Sequence, residues 1–341
     1  MSKICIWGDN HWSQYSSILR KRGDKYSVRL ENSIASLNWV ENLATSQGCS
    51  FVVCTGDFFD AAVLKAEELT ALEDIKWNNL PHMFLVGNHE MGRSDLRYSS
   101  AHVFGNIQNA SVIDKPCLIQ LPELDIVLLP YILESDRKPL QDYIKPLNCL
   151  NNKRIIISHN DIKGIQMGKF ESVEGFKIDE IEGNCDFFFN GHLHNGSQVT
   201  SKIINVGNLT GQNFSEDAFK YDHVAIIFDT LTMQCDVYEN PYAFNFYKIS
   251  YPFDFNTLKY NSVVTIQVNE DTVDACKSAL EKSDKVVEYR LVIGNSPSHV
   301  KVEDTSSLSL DHISEFKTYV LNNIGDDDIV KSELSALFSR G

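Results

Sequence analysis

Five short apolar runs each end in residues that can bind a cation or move a proton. Ile4-Cys5-Ile6-Trp7 leads into Gly8-Asp9-Asn10-His11, and Phe51-Val52-Val53-Cys54 leads into Gly56-Asp57-Phe58-Phe59-Asp60. Met83-Phe84-Leu85-Val86 leads into Gly87-Asn88-His89-Glu90, and Ile155-Ile156-Ile157 into Ser158-His159-Asn160. Phe187-Phe188-Phe189 leads into Asn190-Gly191-His192-Leu193-His194. Asp9, His11, Asp57, Asn88, His159, His192 and His194 are too many donors for one tetrahedral ion and suit two ions of higher coordination number. Imidazole mixed with carboxylate fits Mn²⁺, Fe²⁺ or Zn²⁺ better than Ca²⁺ or Mg²⁺. The set contains no cysteine, which disfavours a structural zinc site. Asp57 can bridge two ions about 3.5–4 Å apart, and a water shared between them becomes a hydroxide able to attack phosphorus in line. His89 follows Asn88 on a tight turn. It is free to face a substrate, stabilise transition-state charge or protonate a leaving oxygen.

Such chemistry needs strands that deliver the donors. Short apolar runs of this kind read as buried strands, and open α/β sheets build their sites at the carboxyl ends of their strands. Tyr26 to Ser46 reads as a helix, with Leu30, Ile34, Leu37 and Ala44 at helical spacing and Gly48 as its stop. Val63 to Asn78 reads as a second helix with Leu69, Leu72 and Ile75 inward. Asp125 to Pro130 is a strand. Ser135 to Leu150 is helical only in part, because Pro139 and Pro146 interrupt it. His223 to Asp229 and Gln234 to Tyr238 read as a hairpin closing a second sheet. Composition shifts near Tyr251-Pro252. Ser262 to Val268, Asp271 to Glu281 and Val286 to Ile293 then form a βαβ unit with no ligand cluster. A polar linker and two short helices, spanning Leu308 to Phe338, complete the chain. The expected division is a catalytic domain over 1–250, a small domain over 251–297, and a linker with a helical tail over 298–341.

At 341 residues the chain accommodates two domains, or one large and one small. Its 43% hydrophobic and 23% charged residues are those of an ordinary globular protein. No apolar run is long enough to span a membrane. Met1-Ser2-Lys3-Ile4 reads as the start of a strand without a leader pattern, so a cytoplasmic location is expected (host cytoplasm if the source is viral). The eight cysteines form no Cys-x-x-Cys pair and read as free thiols of a reducing compartment. A net charge of −15 argues against a nucleic-acid binder that relies on a broad basic face. It leaves room for a nuclease whose ions and partner supply positive charge. Arg20-Lys21-Arg22-Gly23-Asp24-Lys25 is the densest basic cluster, either a solvated loop or a phosphate contact near His11.

Asp9-x-His11, Gly56-Asp57-x-x-Asp60, Gly87-Asn88-His89-Glu90, a lone His159 and Gly191-His192-x-His194 together resemble the signature of the calcineurin-like metallophosphoesterases, over roughly residues 1 to 240. Within that superfamily the layout is similar to double-strand-break repair nuclease subunits of the SbcD type, especially their compact bacteriophage forms. The similarity lies in the Gly-Asp-x-His opening, the following βαβ "capping" unit and the helical tail. The resemblance implies a four-layer α/β/β/α sandwich with a small C-terminal α+β capping domain. It implies two Mn²⁺ ions, one held by Asp9, His11, Asp57 and His194, the other by Asp57, Asn88, His159 and His192. His89 is then the catalytic histidine. DNA is the implied substrate, a homodimer the implied assembly, and an SbcC-like ABC-type, coiled-coil ATPase the implied partner of the tail. One position departs from the pattern. Many members carry a histidine three residues after the bridging aspartate, where this chain has Asp60. An aspartate there orients a metal-binding histidine, so no two-histidine catalytic pair is implied.

The same superfamily includes small-molecule phosphodiesterases and phosphoprotein phosphatases. Either activity would leave residues 251–341 without a role. A non-catalytic binding protein would have no need of the complete donor set.

Overall fold

Along the strand Lys3–Trp7, Ile4 and Ile6 face one side and Cys5 and Trp7 the other, and all four are sealed from solvent. A strand covered on both faces reads as a continuous apolar run, and that is how the motif-bearing strands read here. The computed structural model describes residues 2–18, 23–167, 170–214 and 216–294. The linker and tail helices expected beyond 294, and Arg20-Lys21-Arg22 of the basic cluster, lie outside the described residues.

Two six-stranded sheets stack face to face. The first runs in the order Gln234–Glu239, Val224–Asp229, Lys3–Trp7, Cys49–Cys54, His82–Leu85, Ala110–Ile113. The second runs Ser197–Gln198, Ile203–Asn205, Phe187–Asn190, Arg154–Ser158, Asp125–Leu129, Cys117–Gln120. Ile4, Ile6, Val53 and Leu85 meet Ile126, Leu128, Ile155, Ile157 and Phe189 between them. The outer face of the first sheet is covered by the helix Val28–Ser46 through Leu30, Leu37, Val40 and Ala44. The outer face of the second is covered by the short helices Leu140–Ile144 and Ile178–Glu182. The result is the four-layer sandwich. Its central strands run parallel, so their carboxyl ends collect at one edge.

The hairpin 224–239 forms as expected, but it extends the first sheet and not a second one: Val224–Asp229 pairs antiparallel with Lys3–Trp7. The helix expected over 63–78 is confined to Ala66–Ala71, followed by a 3₁₀ turn, Leu72–Asp74. Leu69 is 44% exposed and faces outward. Beyond the turn, side chains of the Val28–Ser46 helix take over the backbone donors. Lys76 N–H donates to Asn38 Oδ1 at 2.7 Å and Asn78 N–H to Glu41 Oε2 at 3.0 Å. Tertiary acceptors have overridden helical propensity.

A separate three-stranded parallel sheet, Asn245–Ser250, Ser262–Val268 and Val286–Ile293, carries the helix Val273–Glu281 over a core containing Tyr247, Val264, Ile266, Cys276 and Leu280. Its first strand precedes the compositional shift at Tyr251-Pro252. Among the described residues, no helix is long and apolar enough to cross a membrane.

One buried cation anchors the sandwich to the site. Arg29, 6% exposed, donates to Asn10 O at 2.9 Å and Gly211 O at 2.6 Å, holding the loop between Asp9 and His11 against the helix. Arg29→Met leaves both carbonyls without their charged donor. It is expected to destabilise the fold by about 1.5–3 kcal/mol, read from urea unfolding. An unchanged urea midpoint would show that the loop is held by other contacts.

Candidate metal centre

The five motif loops leave the carboxyl ends of three adjacent strands in the first sheet and two in the second. Backbone bonds stitch them together: Asp9 N–H to Gly56 O (3.1 Å), His11 N–H to Asp57 O (3.0 Å) and Gly191 N–H to Ser158 O (2.9 Å). Four residues there hold left-handed backbone, Asp9 (φ 49°), His11 (47°), Asp57 (47°) and His192 (72°). Such conformations cost of order 1–3 kcal/mol each and persist where the surroundings over-determine them.

Three imidazoles are held from behind. His11 Nδ1 sits 3.1 Å from Asp60 Oδ1, His159 Nδ1 3.0 Å from Thr55 O, and His192 Nε2 3.1 Å from Asp161 Oδ1. A carbonyl or carboxylate can only accept, so each outer nitrogen is the N–H donor and each inner nitrogen of a neutral ring presents a lone pair. Those inner nitrogens face further acceptors. His159 Nε2 lies 3.1 Å from Asp57 Oδ2 and 3.2 Å from Asn88 Oδ1, and His192 Nδ1 lies 2.8 Å from Asn88 Oδ1. His11 Nε2 is buried without a hydrogen-bond partner, 3.9 Å from Asp57 Oδ2.

Lone pair facing lone pair is satisfied by a proton or by a cation. The electrostatics show the same need. Burial pushes the Asp9 carboxyl up to about 7, against the pull of His159. Burial also opposes charge on Asp57, but His159 holds it well below the usual carboxylate range. Desolvation works against protonation of His159, yet Asp57 raises it to about 9, and burial with His11 nearby lowers His194 to about 3. The residues therefore fit divalent cations. Asp9, His11 and His194 converge as one group and Asp57, His159 and His192 as another, with Asn88 between the rings of the second.

His89 lies at the solvent side of both groups. It is half exposed, its ring centroid 4.6 Å from that of His11 at 88°. His11, Asp57 and His89 also form a third close group. His89 donates its backbone N–H to Asp57 Oδ1 at 2.9 Å, and its Nδ1 lies 3.3 Å from Asp60 O. Asp60 thus touches both His11 and His89. Glu90, fully buried, accepts from Phe59 N–H and Gly87 N–H at 2.9 and 3.0 Å and ties the second and third motifs together. His102 is exposed in the 3₁₀ segment Ser100–Asn106 and joins none of these groups.

Asp161 and Thr55 were not singled out in the sequence. Asp161 follows the fourth motif by one residue and could have been noticed as a carboxylate at a strand end. Thr55 acts through its carbonyl, which leaves no trace in residue type. Asp161→Ala frees the His192 ring and is expected to weaken metal affinity about 10–100-fold, measured by competition with a chelating dye. Asp161→Asn, which keeps an acceptor oxygen, is expected to recover part of it. Unchanged affinity in the alanine variant would rule out the orienting role.

A family model of the calcineurin-like phosphoesterases matches residues 2–228. Exonuclease subunit 1 of Enterobacteria phage T4 is 22% identical over 265 residues, covering 74% of this chain and 73% of that protein. A protein of Invertebrate iridescent virus 6 named phosphoesterase 244L is 25% identical over 144 residues, covering 40% of this chain. The match spans about half, 48%, of that viral protein's length. Among solved structures, a purple acid phosphatase from yellow lupin (Lupinus luteus) seeds aligns with TM-score 0.45 at 13% identity, covering 70% of this chain and 52% of that one. The chain belongs to the calcineurin-like phosphoesterase family, whose members are metal-dependent hydrolases with dimetal centres.

Proposed function

We propose that the chain is a Mn²⁺-dependent DNA exo/endonuclease subunit of a recombination and repair assembly. In this reading it works as a homodimer with an SbcC-like ATPase that docks on residues 298–341, beyond a capping domain over 251–297. The observation that favours a nuclease among the family's phosphoesterases is the 22% identity to a phage exonuclease subunit across nearly three-quarters of both chains.

Bound metals would supply positive charge for the phosphoryl oxygens and an activated water. Asp9, His11, Asp57 and His194 would hold one ion, and Asp57, Asn88, His159 and His192 the other. The chain's own part is positioning and proton management. Asp60, Thr55 and Asp161 fix which nitrogen of each imidazole faces inward. His89, with Nδ1 directed at Asp60 O, leaves Nε2 to meet the substrate. From there it can neutralise charge on the phosphoryl group or protonate the departing oxygen.

The test is cleavage of labelled linear duplex and single-stranded DNA with Mn²⁺ against Mg²⁺, alone and with the ATPase, alongside cyclic nucleotides and phosphopeptides. Manganese-dependent DNA cleavage that is lost in His89→Ala is the expected result. Preference for a cyclic nucleotide or phosphopeptide would overturn the nuclease reading and leave the phosphoesterase standing.

A further inference from the structure

A cleft of about 1080 Å³ opens beside the site, lined by a hairpin that follows the third motif, by a segment tied to the fourth, and by Asp114, Lys115 and Pro116. One wall is the hairpin of Met91–Gly92 and Asp95–Ser99, which continues from Glu90 without a break. The other is the segment from Pro130 to Lys138, which continues from the strand Asp125–Leu129. Ile132 N–H and Arg137 Nη1 both donate to Asn160 Oδ1, at 3.0 and 3.2 Å, so this second wall is fixed to the residue after His159. Tyr131 marks the junction with the metal centre. Its ring lies 5.8 Å from that of His192 and 6.4 Å from that of His159.

The lining is basic in an acidic protein. Arg93, Arg97, Lys115, Arg137 and Lys138 face Asp95, Asp114 and Asp136, five cations against three anions in a chain of net charge −15. Arg97 pairs with Asp95 and Arg137 with Glu134. Arg93, Lys115 and Lys138 are exposed and make no ion pair among the described residues.

The placement of Arg93 is the second observation. Gly92 pairs with Asp95, so Arg93 and Ser94 form a two-residue hairpin tip, with φ 56° and 52°. Both central residues of such a tip must be left-handed, a geometry that Asn-Gly adopts with least strain. The Arg93 guanidinium lies 5.7 Å from the ring centroid of Tyr98 on the same hairpin, and strain retained at an exposed arginine that lines the cleft points to a use for its side chain.

We propose that this cleft is the track along which a single DNA strand reaches the metal centre. Arg93, Lys115 and Lys138 contact backbone phosphates, and Tyr131 offers a stacking face to a base next to the scissile bond. Cations interleaved with an aromatic face are how proteins hold single strands without reading sequence. The inference rests on the nuclease reading of the same site.

The experiment measures binding and turnover separately on the full chain. A fluorescent single-stranded oligonucleotide is titrated at several salt concentrations, against wild type, Lys115→Gln with Lys138→Gln, and Arg93→Asn with Ser94→Gly. Each removed cation is expected to flatten the slope of log affinity against log salt by about 0.7. The Arg93→Asn, Ser94→Gly variant should melt at a higher temperature than wild type while binding the oligonucleotide less well, which excludes misfolding as the cause. In turnover, the loss should grow with oligonucleotide length and be smallest on bis(p-nitrophenyl) phosphate. Salt slopes equal to wild type in both variants would overturn the track, as would variants that weaken duplex binding but leave single-strand binding intact. A wild type that binds the strand through these residues, yet hydrolyses only the small diester, would keep the track and count against the nuclease reading alone.

Discussion

Gly56→Ala is expected to reduce phosphodiesterase activity on the order of 10²-fold or more, and to weaken metal binding with it. Gly56 has φ +119°, a region that L side chains rarely enter. A Cβ built there lies 2.3 Å from His159 Nδ1 and 2.5 Å from its Cγ. Nothing nearby can yield cheaply. The His159 ring is fully buried, pinned from behind by Thr55 O and faced by Asp57 and Asn88. Gly56 O also accepts from Asp9 N–H, so shifting the backbone moves the first motif as well. The added methyl therefore displaces an imidazole from the second donor group and disturbs a carboxylate in the first. Gly48→Ala is the matched control. That glycine is also left-handed, φ +67°, but its Cβ would meet nothing within 4 Å. The control is expected to lose about 1–2 kcal/mol of stability through strain while keeping its metal and its activity. Elemental analysis, hydrolysis of bis(p-nitrophenyl) phosphate and a thermal melt on both variants separate site damage from unfolding. A Gly56→Ala protein with full metal content and near wild-type turnover would show that the His159 cradle tolerates displacement.

The contrast between those two glycines indicates what a sequence can and cannot disclose here. Both occur at strand boundaries as Gly, and only the packed structure shows that one lies against a ligand from a strand about a hundred residues away. The motif strands were legible because burial on both faces writes an uninterrupted apolar run, and the donors follow each run directly. Asp60 stood out through its departure from the family pattern, and its carboxylate lies 3.1 Å from His11 Nδ1. Thr55 was not, because its contribution is a backbone carbonyl. Asp161 was not, because its partner His192 arrives from the neighbouring strand of the second sheet, and their contact exists only once Arg154–Ser158 and Phe187–Asn190 are paired. The hairpin 224–239 could be recognised from two short runs close in sequence, but its sheet is chosen by pairing with Lys3–Trp7, far away in sequence. The helix at 63–78 was over-extended for the same kind of reason. The helix covers only Ala66–Ala71, Leu69 turns outward, and the acceptors that take up the backbone donors beyond the turn, Asn38 and Glu41, belong to another element.

His89→Ala is expected to lower kcat by about 10²–10⁴-fold, the range for loss of a positioned acid–base or charge-stabilising group, with metal content unchanged. The geometry sets this histidine apart from His11 and His159. His11 and His159 are buried, whereas the His89 side chain is 43% exposed. His11 and His159 each have one nitrogen turned towards Asp57, whereas His89 approaches Asp57 through its backbone N–H. That backbone bond survives the substitution, so Asp57 keeps its orientation in the variant. The side chain's own partner is Asp60, whose carbonyl lies 3.3 Å and carboxylate 3.7 Å from Nδ1. Asp60→Ala retains the carbonyl but removes the carboxylate shared by His11 and His89. It is therefore expected to lower both metal affinity and kcat, where His89→Ala lowers kcat alone. The proximity of His89 to His11 and Asp57 permits a competing role as a further ligand on the first ion. Metal stoichiometry decides between the two. An alanine variant that binds as much metal as wild type, but turns over slowly at saturating substrate, places His89 on the substrate side. An alanine variant that loses an ion would move it into the donor set and leave the protonation of the departing oxygen to another group.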